Sequence, residues 1–207
     1  LQNTYDLPPF VVTLGTQYLM FGLAAIICNN YPIPNAYPNW YVQVGMGRLF
    51  GVVPYPVIIF FVAAVLCYFI MEHTTTGRSV YAVGGNQEAA RLSGIKTRAV
   101  VVGTFVVSAV TAGIAGVLMA ARLGTGQPST GSDFAMDVLT ATVLGGVTLQ
   151  GGKGFVLNVF IGSFIIGILS NGLTMCNVPE YWQWIIKGLV FLFAVAMSNL
   201  EALMSKK

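Results

Sequence analysis

Few residues of this chain have the types and the spacing that catalysis, phosphate binding or metal binding requires. The glycine-rich run at 150–154, QGGKG, comes nearest, because glycines beside a lysine can cradle a phosphate. A phosphate loop reads Gly, any four residues, Gly-Lys and then Ser or Thr. Here Val147 occupies the first glycine position and Gly154 follows Lys153, so the run fails the pattern at both ends.

Acid–base, nucleophilic and metal chemistry find no support either. The only histidine, His73, lies at the end of an apolar segment near water, where a solvated side chain is expected. The three cysteines have no paired spacing and no His or Cys companions, which argues against a metal site. The seven acidic residues lie at segment ends or in loops, which argues against a proton-coupled carrier. We expect no catalytic residue, no metal and no cofactor on this chain.

One long polar stretch, residues 77–98, lies between strongly apolar segments and reads GRSVYAVGGNQEAARLSGIKTR. It holds four of the ten basic residues, so it is expected on the cytoplasmic side of a membrane. Its middle predicts one short helix at 87–93, with Asn86 as the N-cap and Gly94 in a left-handed conformation after its end. Glu88 places a carboxylate near the positive end of that helix.

The predicted helix is too short to be stable alone in water, so it must rest on a surface. Ala89, Leu92 and Ile95 offer it a small apolar face. Two interpretations stay open at this point. The helix is either a connector packed on its own protein, or a docking element whose exposed Ala, Leu and Arg side chains serve a partner protein.

The composition places the chain in a membrane. Hydrophobic residues make up 56% of the chain and charged residues 8%, with a mean hydropathy of +0.75. These values are typical of an all-α, polytopic helical membrane protein. The net charge of +3 comes from few and scattered basic residues, so it reports orientation in the membrane and gives no reason to expect nucleic acid.

Six apolar segments, A to F, are predicted to cross the membrane. They cover 7–28, 55–71, 99–121, 138–149, 155–176, and a last stretch from the aromatic belt at Tyr181, Trp182 and Trp184 to about residue 200. Segment D reaches only about 18 Å as a helix, so it must be shielded by neighbours, extended through 134–136, or re-entrant. Six crossings place seven basic residues inside and three outside, which favours that arrangement. Lys187, about one turn inside the belt, is expected to snorkel back to the surface.

Several separated motifs together resemble one family. TTGRSVYAVGGNQEAARLSGIKT, at 75–97, is similar to the cytoplasmic signature of permease subunits in the monosaccharide, ribose-type branch of bacterial ABC importers. The resemblance continues through PFVVTLGT at 9–16, LGGVTLQGGKG at 144–154 and LSNGL at 169–173. It implies a ten-helix permease domain, of which residues 1–207 would be the C-terminal portion, with the N-terminal helices absent.

The resemblance makes residues 72–98 a cytoplasmic coupling loop. Glu88-Ala89-Ala90, followed by Gly94, matches the start of the EAA pattern with which importer permeases dock an ATPase subunit, although the later Leu-Pro of that pattern is absent. The ATPase-coupling residues implied are Gly84, Gly85, Asn86, Glu88, Ala89, Ala90, Arg91, Leu92, Gly94 and Ile95.

The same resemblance implies that this chain is not an enzyme and that it works with several partners. A separate cytoplasmic ABC ATPase would bind ATP and Mg, a second permease subunit, identical or different, would complete the membrane part, and an extracytoplasmic binding protein would deliver a monosaccharide or similar small polar solute. The chain would lie in the bacterial inner membrane, with residues 77–98 and its C-terminus in the cytoplasm.

A neutral sugar needs hydrogen-bonding groups without charge along its path. Segments D and E supply four such groups in apolar surroundings, although these groups could equally join helices. Asn171 is the preferred one, because Ser163 and Gly167 precede it at four-residue intervals on one face of a helix. The candidates for the translocation pathway are Thr140, Thr142, Asn158 and Asn171.

Three alternative functions stay open. Permeases of branched-chain amino-acid importers share the EAA helix and a Gly-rich segment, but a DR dipeptide usually precedes EAA there, whereas residues 84–86 here are GGN. A secondary transporter would keep working after ATP depletion. A structural membrane protein would need no docking helix.

Six crossings place Lys153 in the cytoplasm and Arg122 outside. In a background lacking Cys28, Cys67 and Cys176, the variants Lys153→Cys and Arg122→Cys should therefore react with an impermeant thiol reagent from opposite sides of the membrane. Labelling of both from the same side rejects the six-crossing arrangement in favour of a re-entrant segment D.

Overall fold

The structure, a computed structural model, describes residues 9–34 and 37–204. This part of the chain contains nine helices and four two-residue strands, which confirms the all-α class. The helices are α1 Pro9–Ile27, α2 Asn39–Met46, α3 Tyr55–His73, α4 Thr75–Gly85, α5 Gln87–Leu92, α6 Thr97–Leu123, α7 Phe134–Leu144, α8 Val156–Met175 and α9 Glu180–Met204. The strands are β1 Ile33–Pro34, β2 Arg48–Leu49, β3 Val53–Pro54 and β4 Thr125–Gly126.

Four helices of the described chain are long and apolar enough to cross a membrane: α3, α6, α8, and α9 over Glu180–Ser198. They correspond to the predicted segments B, C, E and F. The two shorter apolar helices, Val11–Ile27 within α1 and α7, correspond to segments A and D. The first two residues of segment A lie outside the described residues. The apolar helices together make a polytopic membrane protein, whereas the count of six crossings stays a prediction.

The prediction of a single helix within residues 77–98 was wrong, because α4 precedes α5. Helix α4 begins after Thr74, whose hydroxyl oxygen accepts a hydrogen bond from the Gly77 N–H at 3.3 Å and thereby caps the helix. Gly77 and Val83 are buried. Gly84 and Gly85 lie in the last turn of α4, where the low helix propensity of glycine matters least.

The bounds of segment D also differ from the prediction. Helix α7 starts at Phe134, as one of the alternatives had it, but it ends at Leu144 instead of residue 149. The helix stops there because Gly146 adopts a left-handed conformation, with φ +76°, just beyond its end. Its 11 residues rise about 16 Å, so α7 still cannot span the hydrocarbon alone.

The chain divides into two compact units, of which the first covers the described residues of 1–62 and 102–132. Here α2 packs on the end of α6: the Tyr41 hydroxyl donates to the Val117 carbonyl at 2.7 Å. A Cβ at Gly45 would lie 2.8 Å from the Ala121 Cβ, so only glycine permits this approach. Strand β1 pairs with β4, and β2 with β3, both antiparallel.

The second unit, formed by the described residues of 63–101 and 133–207, is built around the short helix α7. Helix α7 packs against both α8 and α9. A Cβ at Gly162 of α8 would overlap the Ala141 carbonyl oxygen, and one at Gly145 would lie 2.8 Å from the Val159 Cα. Close helix packing through small residues is the usual arrangement in membranes, where lipid gives helices no hydrophobic reason to associate.

An ion pair joins the other end of α7 to α9. The Lys187 Nζ lies 2.8 Å from the Asp137 Oδ2, and the two side chains are 20% and 22% exposed. Lys187 was expected to snorkel to the surface, but it is paired instead. A charge below the aromatic belt is costly unless an opposite charge accompanies it, and Asp137 in the first turn of α7 supplies that charge.

Replacing Gly162 by Ala should destabilise the protein, because the new methyl group has to displace the backbone of α7. Overpacking of this kind costs about 1–3 kcal/mol of unfolding free energy. The measurement is the apparent melting temperature of the purified protein in detergent. Gly172→Ala is the matched control on the same helix, because a Cβ at Gly172 meets nothing within 4 Å. Equal melting temperatures for the two variants would contradict the packing of α7 on α8.

Candidate functional site

The candidate site begins at helix α5, whose two ends are both capped as predicted. The Asn86 side-chain oxygen accepts a hydrogen bond from the Ala89 N–H at 2.9 Å. At the other end Gly94 has φ +84°, and the Ile95 N–H donates to the Ala90 carbonyl at 3.1 Å. Capping at both ends satisfies backbone groups that a six-residue helix would otherwise leave open to water. The sequence therefore gives this short helix a defined shape.

The side chains of α5 divide sharply between buried and exposed. Ala90 is 5% exposed and holds the helix against its own unit, whereas Leu92 is 80% exposed. Ala89 is exposed as well, and Ile95 is half-buried. The apolar face of Ala89, Leu92 and Ile95 is therefore not the face on which α5 rests, since Ala90 fills that role.

Two exposed charges flank the exposed leucine. Glu88 and Arg91 form an ion pair of 3.1 Å, with side chains 65% and 68% exposed. An exposed pair of this kind contributes little to stability, so its charges are available to a partner. An apolar side chain ringed by opposite charges on a capped helix suits a protein partner better than a small molecule.

The glycine-rich run QGGKG lies against the C-terminal end of α4. Residues 148–154, here called the glycine loop, lie with their backbone directly on Gly84 and Gly85. A Cβ at Gly84 would lie 2.8 Å from the Gly152 N, and a Cβ at Gly152 would lie 2.6 Å from the Gly85 Cα. Gly151 and Gly152 also have φ of +88° and +79°, which favours glycine at both positions. The run QGGKG is thus explained by close backbone contact.

Hydrogen bonds hold the glycine loop in shape and attach it to α4. The Thr148 hydroxyl donates to the Gly151 carbonyl at 2.9 Å, and the Gly151 N–H donates back to the Thr148 carbonyl at 2.9 Å. The Tyr81 hydroxyl of α4 donates to the Gly154 carbonyl at 2.8 Å. Burial, and then the nearby Glu72 carboxylate, raise the pKa of Tyr81, so the phenol keeps the proton that it donates.

An apolar cavity of about 370 Å³ opens beside this contact. Its walls are mostly hydrocarbon, including Met71, Val80, Val147, Phe155, Val156 and Val159. A sugar would lose its water here without gaining enough hydrogen-bond partners, so the cavity does not suit a sugar. Among the described residues there is also no group of three His, Cys, Asp or Glu side chains that could hold a metal ion.

The four pathway candidates lie in two different settings. Thr140 is 2% exposed and its hydroxyl donates to the Met136 carbonyl at 2.7 Å, while the Thr142 hydroxyl donates to the Leu139 carbonyl at 2.9 Å. Both hydroxyls are therefore used within α7. Asn158 and Asn171 are exposed on α8, and the Asn171 amide lies 3.9 Å from the Met175 sulfur.

Sequence reasoning missed two parts of this arrangement. The first is the contact between the GG of 84–85 and the GG of 151–152, for which the repeated glycine pairs were the only signal. The second is the Asp137–Lys187 pair, whose members lie 50 residues apart. The available clue was Lys187 inside segment F, with Asp137 directly before segment D, because charges in apolar surroundings are usually paired.

These features define a class of protein, a multi-pass, all-α inner-membrane protein with two short capped helices between its apolar helices. The chain belongs to the family described as the branched-chain amino acid transport system / permease component, whose profile matches residues 1–195. As a member of a family of transport permeases, it is not an enzyme.

Three relatives have names that refer to sugars. The ribose import permease of Escherichia coli K12 is 36% identical over 196 residues, covering 92% of this chain and 60% of that protein. The xylose transport system permease of Haemophilus influenzae is 45% identical over 143 residues, 69% of this chain and 38% of that protein. The D-allose transport system permease of E. coli K12 is 34% identical over 203 residues, which cover 97% of this chain and 61% of that protein.

These likenesses confirm the resemblance to permeases of sugar ABC importers. The chain spans about 60% of the length of the ribose permeases that it matches. No solved structure matches it.

Proposed function

We propose that this chain acts in the permease subunit of an ATP-driven importer, with α5 as the docking helix for a separate ATPase subunit. The observation that carries the proposal is the build of α5: capped at both ends, anchored by the buried Ala90 and exposing Leu92 at 80%. A leucine this exposed next to two exposed charges has the character of an interface anchor with a polar rim.

We propose a monosaccharide or a similar small polar solute as the cargo. The relatives named for ribose, xylose and allose support this substrate class. A second permease subunit and an extracytoplasmic sugar-binding protein complete the proposed assembly, with ATP and Mg held by the ATPase. Residues 77–98 and the C-terminus face the cytoplasm in this arrangement, since the basic residues concentrate there.

A branched-chain amino acid is the second candidate cargo, because the description of the matching family names it. Uptake of labelled ribose, xylose or allose, compared with uptake of labelled leucine by the same reconstituted importer, separates the two substrate classes.

Leu92→Glu should weaken ATPase docking without unfolding the permease, because the side chain is already exposed. Loss of an interface anchor costs about 2 kcal/mol or more, which corresponds to about 30-fold weaker binding. The measurements are co-purification of the ATPase with the permease and ATP-driven uptake. Leu92 is a better position than Ala90, because a glutamate at the buried Ala90 would also disturb the fold of the permease.

Leu49→Glu is the control for this variant. Leu49 lies in β2 and is 40% exposed, so the same chemical change is made far from α5 in the sequence. Unchanged ATPase binding and uptake in Leu92→Glu would show that α5 is not the docking helix.

Asn171 remains the proposed pathway residue on α8. If its amide meets the passing sugar, Asn171→Leu should lower uptake, and the stimulation of ATPase activity by the loaded binding protein, by about 3- to 10-fold, the worth of one hydrogen bond. The amount of assembled complex should hardly change. Thr174→Val, one turn away on α8, is the control, because the Thr174 hydroxyl already donates to the Ser170 carbonyl. Normal transport, or failure to assemble, would make Asn171 a packing residue.

A further inference from the structure

We infer that the contact between α4 and the glycine loop positions α7 relative to the docking helix, so that Gly84, Gly152 and Tyr81 are positioning residues for coupling ATP hydrolysis to solute movement. This inference rests on the proposed function of α5. It adds the route by which a displacement of α5 reaches a helix inside the membrane part of the same unit.

The first step of the route joins α5 to α4 through one residue. Asn86 is the C-cap of α4, and its N–H donates to the Ala82 carbonyl at 3.1 Å. The same residue is the N-cap of α5, where its side-chain oxygen accepts a hydrogen bond from the Ala89 N–H at 2.9 Å. Because one residue caps both helices, no flexible linker separates them. A push on α5 therefore moves the last turn of α4.

The second step passes from the last turn of α4 to the glycine loop. Backbone lies on backbone here, as the 2.8 Å between a Cβ at Gly84 and the Gly152 N shows. No side chain stands between the two backbones to change rotamer and absorb a displacement. The hydrogen bond of 2.8 Å from the Tyr81 hydroxyl to the Gly154 carbonyl fixes the far end of the loop to α4 as well.

The third step passes from the glycine loop to α7. Only residues 145–147 lie between them, and they are bonded back onto the helix: the Val147 N–H donates to the Thr142 carbonyl at 3.1 Å, and the Gly145 N–H to the Ala141 carbonyl at 3.0 Å. The loop thus continues the end of α7 without slack. Helix α7 carries Thr140 and Thr142, two of the residues that the sequence predicts for the translocation pathway.

The test compares Gly84 of α4 with Gly103 of α6, a helical glycine outside the contact, in the complete importer reconstituted in liposomes. In Gly84→Ala the new methyl group strikes the loop, whereas in Gly103→Ala it meets nothing within 4 Å. The readouts are the amount of ATPase bound, the rate of ATP hydrolysis and the number of solute molecules imported per ATP.

Gly84→Ala should bind the ATPase normally and still hydrolyse ATP, while import per ATP falls about tenfold, within the range that substitutions along a coupling route produce. Gly103→Ala should match the parent. Normal import per ATP in Gly84→Ala, or equal losses in both variants, overturns the inference. Failure of the proposed function looks different, because then the parent importer itself binds no ATPase through α5 and Leu92→Glu changes nothing.

Tyr81→Phe decides the matter if Gly84→Ala does not accumulate in the membrane. This change removes one hydroxyl and adds no atom, so it creates no clash, but the loop loses its hydrogen bond at Gly154. Import per ATP should fall about twofold or more, with ATPase binding unchanged. Tyr18→Phe, at a side chain 74% exposed, is the control. An unchanged import per ATP in Tyr81→Phe overturns the inference.

Discussion

The contact of two bare backbones at Gly84 and Gly152 is the constraint on which the second unit depends. Any side chain at either position would push the loop away from α4, and the +79° φ of Gly152 disfavours other residues independently of space. Glycine is costly for folding because it gives up more conformational freedom than other residues. The hydrogen bonds from Thr148 and Tyr81 offset that cost by holding the loop in one shape.

Helix α7 depends on its neighbours more than any other apolar helix of the described chain. It is too short to span the hydrocarbon, so its ends need protein around them. Small residues bring α8 within backbone contact at one end, and the pair of Asp137 with Lys187 joins α9 at the other. Each charge alone would be costly in these surroundings, and together they fix how α7 and α9 align.

The features of the fold that depend on neighbouring residues in the sequence were predicted correctly. The uncharged segments, the Asn86 cap and the left-handed Gly94 each follow from residue type and immediate neighbours, and the structure has them at or close to the expected positions. Helix α4 was missed because its conformation depends on packing within the unit, which residue type alone does not show. The ion pair of Asp137 and Lys187 and the seating of the glycine loop join residues far apart in the sequence, which a single sequence does not reveal.

The pairing of Asp137 with Lys187 also has an electrical consequence. Lys187 follows Glu180 by seven residues, about 10 Å along α9, so the pair lies in the membrane field when α9 crosses the bilayer. Moving one elementary charge through 100 mV changes the free energy by about 2.3 kcal/mol. Because the two charges cancel, a displacement that carries α7 and α9 together transfers no net charge through the field. A membrane potential therefore neither drives nor opposes a movement of α7 and α9 as one body.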